Sequence, residues 1–70
     1  MMPLLYASTG EENIIRKVGG SQEIKKHMED LGFVVGGVVT VISEINGNLI
    51  VNVKDSRIAI SRELAGKIMI

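Results

Sequence analysis

The chain has no cysteine and no tryptophan, and only one phenylalanine, one tyrosine and one proline. Without cysteine there is no disulfide and no thiolate metal site, a usage that suits a reducing compartment. Two aromatic residues in all leave no stacking platform for single-stranded nucleic acid. An excess charge of either sign is missing too. Eight Lys and Arg balance eight Asp and Glu, so no broad electrostatic footprint draws the chain to nucleic acid or to an anionic membrane. No apolar run approaches the ~20 residues that cross a bilayer. The opening "MMPLLYASTG" lacks the basic and apolar regions of a signal peptide. A lone histidine and no nucleophile–base arrangement leave enzymatic chemistry without support. The expectation is a soluble, cytoplasmic, non-enzymatic single domain over residues 1–70.

What is abundant is aliphatic side chain and glycine: 46% of residues are hydrophobic and eight are Gly. Seventy residues bury barely enough surface to fold, so nearly every aliphatic group must contribute. "STGEENIIRKV" is β-branched and reads as a first strand, ended by Gly19–Gly20. The period then changes. Ile24, Met28 and Leu31 fall at i, i+4 and i+7, one stripe of a helix. Ser21 is its N-cap, Glu23 lies in its first turn, and Gly32 is placed to end it in a left-handed conformation. "FVV" is a connector and Gly36–Gly37 a second turn. "VVTVISEI" and "NLIVNVK" then read as strands joined by the hairpin signal Asn46–Gly47. Val39 and Val41 are expected to oppose Leu49, Val51 and Val53. A turn at Asp55–Ser56, a strand over "RIAI" with Ile58 and Ile60 inward, one helical turn capped by Ser61, and a last strand at "KIMI" complete the chain. About five short strands with one helix between the first and second suggest a closed small barrel, since closure removes exposed edges.

The helix followed by "LGFVVG", a strand, "IVNVKDSRIAIS", "ELAGKI" and a final apolar residue resembles the FeoA family, the small cytoplasmic proteins of bacterial ferrous-iron uptake. The resemblance extends to "PLLYASTGEENIIRKV" before the helix and so covers nearly the whole chain. Leu31, Gly32, Phe33, Gly36, Val39 and Val41 occupy the family's glycine-framed pattern, and Ile58, Ala59, Ile60 and Ala65 fit its closing segment. Val35 stands where relatives often have proline, Asn46–Gly47 replaces a longer loop, and Asp55 replaces a common glycine. The resemblance implies an SH3-like barrel, mainly β with one helix, and a partner: the FeoB-type ferrous-iron permease, with the membrane reached only through it. The alternative it implies is a stand-alone SH3-like module related to the C-terminal domains of DtxR-type repressors, acting in peptide binding or metal sensing. Fold alone does not decide between them.

Two groups of residues are candidates for a site. Glu23, His27 and Asp30 share a helix face, but a metal site needs three or more converging ligands. Solvated side chains are therefore the favoured reading, with no resident cofactor and at most weak divalent-metal binding. The second group is apolar. If Val39, Val41, Leu49 and Val51 point inward, Val38, Ile42 and Ile50 point outward by the period of two, and Val34, Val35 and Gly36 form an exposed corner. Residues 31–43 carry no charge, as in an interface core. These six residues, Val34, Val35, Gly36, Val38, Ile42 and Ile50, are the expected partner-binding surface. The alternatives for this surface are a tightly packed helix–barrel corner or a homodimer contact, which would make the chain a homo-oligomer.

Overall fold

A computed structural model describes all residues, Met1–Ile70. Six strands and two helices follow a 3-10 turn at Leu4–Tyr6: β1 (Glu12–Ile14), β2 (Lys17–Val18), α1 (Gln22–Asp30), β3 (Val38–Ile45), β4 (Asn48–Val53), β5 (Ser56–Ser61), α2 (Arg62–Ala65) and β6 (Ile68–Met69). The single strand expected near the start is divided. The Ile15 N–H donates to the Gly37 carbonyl at 2.9 Å, and one residue later the Arg16 N–H donates to the Met69 carbonyl at 2.8 Å. The chain therefore changes sheets at the Ile15–Arg16 step. The helix accordingly follows the second strand, and the count is six.

Helix α1 ends and begins as its residues dictate. The Ser21 hydroxyl accepts from the Ile24 N–H at 3.3 Å. At the other end Gly32 has φ +106°, a conformation open to glycine and costly to residues with a Cβ. The Gly32 N–H donates to the Glu29 carbonyl and the Phe33 N–H to the Met28 carbonyl, both at 2.9 Å. This pair of bonds is the Schellman arrangement, in which the residue after the glycine turns back toward the last helical turn. Phe33 and Met28 are accordingly both buried in the core, while Ile24 and Leu31 flank it half-buried. The predicted apolar stripe is the face that packs.

The four-stranded sheet has the order β1-β3-β4-β5, and β2 pairs with β6 in a second sheet. Val39 opposes Val53 and Val41 opposes Val51, as expected. A β-bulge between Val41 and Ser43 shifts the register. The bulge shifts the alternation by one residue, so that Glu44 rather than Ser43 opposes Leu49. Glu44 meets Arg62 at the start of α2, with 2.7 Å between Nη1 and Oε1. The turn after β4 lies at Lys54–Asp55, one residue earlier than the Asp55–Ser56 signal suggested, and Ser56 already belongs to β5. The Ser61 cap and the last strand stand where expected. The Ser61 hydroxyl accepts from the Leu64 N–H at 3.2 Å, and β6 covers Ile68–Met69.

The two sheets enclose twelve buried apolar residues, among them Leu4, Ile15, Ile60, Ala65 and Ile68, and no buried polar or charged side chain. No hydrogen-bonded ladder runs all the way round, so the molecule is a small, mostly β pair of sheets whose outer strands keep open edges. The second sheet is extended by the N-terminal segment. Met2 and Ile70 exchange backbone hydrogen bonds of 3.1 and 2.8 Å, and Pro3 bridges to Met69. No helix is long and apolar enough to cross a membrane.

Candidate partner-docking site

The corner after α1 is built from a tight turn. The Gly37 N–H donates to the Val34 carbonyl at 2.9 Å, and Gly36, third in the turn, has φ +89°. A positive φ at that position makes the turn type II. The Gly36 N–H also donates to the Ile15 carbonyl at 2.8 Å, so both backbone groups of Ile15 are held by the corner. The turn is thus fixed against the sheet, and its tip projects outward. Val35 at that tip is 67% exposed.

Beside the turn, Val38 opens β3 and pairs directly with Ile14 of β1. Cross-strand partners present their side chains on the same sheet face, and these two are 44% and 48% exposed. Val35, Val38 and Ile14 therefore form one exposed apolar corner, with Val34 half-buried behind it. Ile14 was not among the expected surface residues, because the register that sets it against Val38 joins residues far apart in sequence.

The remaining candidates are elsewhere on the same face. Ile42 and Ile50 are half-buried, and Ile50 pairs with Ser43 and Ala59. Thr40 and Asn52, which oppose each other, form a polar row between them and the corner. Four residues of strand separate Val38 from Ile42, about 13 Å at the usual rise. The six expected residues thus form two apolar groups and not one patch. Against the corner lies an open cleft of about 250 Å³ with Glu12, Gly37, Val38, Thr40, Asn52 and Lys54 in its walls. It is mostly polar, unlike a small-molecule pocket with apolar walls.

Glu23, His27 and Asp30 are all exposed on α1. Nowhere does the structure gather three or more His, Asp or Glu side chains that could hold a metal ion. The only ion pair is Arg62–Glu44 on the surface, and exposed pairs of this kind contribute little.

Residues 2–70 match the model of the FeoA domain family. The chain belongs to the FeoA family. It is 39% identical over 70 residues to a Methanocaldococcus jannaschii protein named as an Fe(2+) transport protein A, covering all of this chain and 85% of that one. The crystal structure of an iron uptake regulatory protein, itself a FeoA, superposes with a TM-score of 0.87 at 28% identity, over 97% of this chain and 90% of the other. The zinc-complexed FeoA of Stenotrophomonas maltophilia, described as a prokaryotic SH3-domain protein, gives 0.84 at 21% identity, over 99% and 88%. A likeness in fold alone extends to a manganese-dependent transcriptional repressor, with a TM-score of 0.83 at 13% identity over 94% of this chain and 38% of that one. FeoA proteins are ferrous-iron transport proteins with this SH3-like fold, and the repressors carry the same fold as one part of a longer chain.

Proposed function

We propose that the chain is a non-enzymatic regulatory accessory of ferrous-iron uptake, acting in the cytoplasm and docking on the cytoplasmic region of an FeoB-type permease. The observation that carries this reading is the exposed corner of Val35, Val38 and Ile14 on a member of the FeoA family. Aliphatic side chains held out by a fixed turn are suited to a complementary protein surface, and a few such anchors can supply most of the binding energy. Val35→Asp, at an exposed turn position, is expected to fold normally and to abolish capture of the permease's cytoplasmic region. Ile50→Asp, on the other apolar group, is expected to leave capture intact. Normal binding by both variants would remove the corner from the interface.

The repressor likeness keeps a metal-sensing reading in view. Under the reading favoured here, titration with ferrous or zinc ions gives millimolar binding or none. A micromolar site lost in His27→Ala would shift the assignment to sensing.

A further inference from the structure

The two open edges of the four-stranded sheet are very unlike. Strand β1 is three residues long. Its ladder with β3 continues through the Ile15–Gly37 bond, so by the antiparallel alternation the backbone groups of Glu12 and Ile14 face the open side. Glu12 follows Glu11, so the strand is entered through two consecutive carboxylates. A short, charged strand is how proteins commonly guard an edge. Strand β5 has six residues, Ser56–Ser61, with no proline and no bulge in its pairing with β4. The two-residue turn at Lys54–Asp55 makes Val53 and Ser56 a hydrogen-bonded pair, which places Arg57, Ala59 and Ser61 at the positions whose backbone groups point away from β4. Of these six groups only the Ser61 carbonyl is already engaged, in the first turn of α2, which Ser61 caps. No turn or loop residue makes a backbone bond to these three residues. Their side chains lie on the outer face, and Arg57 carries the only charge among them.

From this asymmetry we infer that the β5 edge is a self-association surface, taking the β5 strand of a second copy antiparallel about a two-fold axis at Ala59. In that register Ala59 faces its own counterpart, and each Arg57 faces a Ser61. The two Ala59 residues exchange both of their backbone bonds, each Ser61 N–H meets an Arg57 carbonyl, and no like charges come opposite. A two-fold interface requires such self-complementarity. The smallest side chain in the strand falls on the two-fold axis, where each copy meets its own residue. Ile50, which pairs with Ala59 on the outer face, then flanks the seam on both sides, giving an apolar row Ile50–Ala59–Ala59–Ile50 across an eight-stranded sheet. The docking corner at Val35 lies two strands away and stays free in each copy, so the inference does not depend on the permease reading.

The test is the mass of the full chain in solution by sedimentation from micromolar to millimolar concentration, with amide hydrogen exchange on the same samples. The expected result is a species of twice the 7.6 kDa chain mass at the upper end, with exchange slowed at Ala59 and Ser61 and unchanged at Glu12 and Ile14. Ala59→Lys places two ammonium groups at the axis, and Ala59→Pro removes an N–H that serves only the open edge, where proline is tolerated. Both variants are expected to keep the parent's unfolding midpoint and to have half the mass of the associated parent. A parent chain that is monomeric at millimolar concentration overturns the inference. So does a dimer that survives both substitutions, or one whose protection appears at β1.

Discussion

Two hairpins of the same sheet, one at Asn46–Gly47 and the other at Lys54–Asp55, make the same turn with different chemistry. Both loops are two residues long, and all four residues have positive φ: 50° and 81° in the first, 49° and 62° in the second. That is the type I′ geometry, whose twist matches the strands it joins. The first turn uses residues that favour it. The second uses a lysine and an aspartate, of which only aspartate visits the left-handed region with any ease. The second turn is therefore formed against its local preference, held by the packing of β4 on β5. Buried Val53 and Val51 on one strand and Ile60 on the other supply that packing, with the Lys54 stem lying over Gly32. A sheet can impose a turn that its residues would not choose.

This contrast can be broken in order of expected effect. Asn46→Val puts a β-branched residue at positive φ, where it is an outlier, and should lower stability by about 2–3 kcal/mol. Gly47→Ala should cost about 1–2 kcal/mol; a Cβ there meets nothing within 4 Å, so the cost is one of conformation and not of space. Asp55→Gly should act in the opposite sense, raising stability by about 0.5 kcal/mol as the left-handed strain is relieved against the added freedom of the unfolded chain. Lys54→Asn gains left-handed tolerance but loses the stem packed over Gly32, and should change stability by less than about 0.5 kcal/mol. Denaturant midpoints at constant slope measure all four. A stabilising Gly47→Ala or a strongly destabilising Asp55→Gly would mean that the two turns do not share the geometry described.

The same division between local and distant causes decides how much was legible in the sequence. Helix α1, its Ser21 cap and its Gly32 stop depend on neighbours within one turn, and the residues announce them. The Asn46–Gly47 hairpin is equally local. The break at Ile15–Arg16 is not, because it depends on Gly37 and Met69, residues far along the chain that capture successive backbone groups. The bulge after Val41 and the one-residue displacement of the second turn are likewise settled between strands. For the candidate site, exposure of Val38 followed from the period of two, and that of Val35 from its place in the connector. The companionship of Ile14 and the separation of Ile42 and Ile50 required the strand register. Glu23, His27 and Asp30 lie on one helix face by their spacing, yet nowhere do three His, Asp or Glu side chains come together as a ligand set.

The exchange of hydrogen bonds between Met2 and Ile70 has a consequence for synthesis. Residues 68–70 pair both with β2 and with the N-terminal segment, so the second sheet cannot form while those residues are still inside the ribosome. The four-stranded sheet is complete in sequence by Ser61 and can assemble first, leaving Leu4 and Ile15 without the cover of Ile68. A chain whose residues 68–70 have not yet emerged is therefore half-closed, and deletion of those three residues should hold it there.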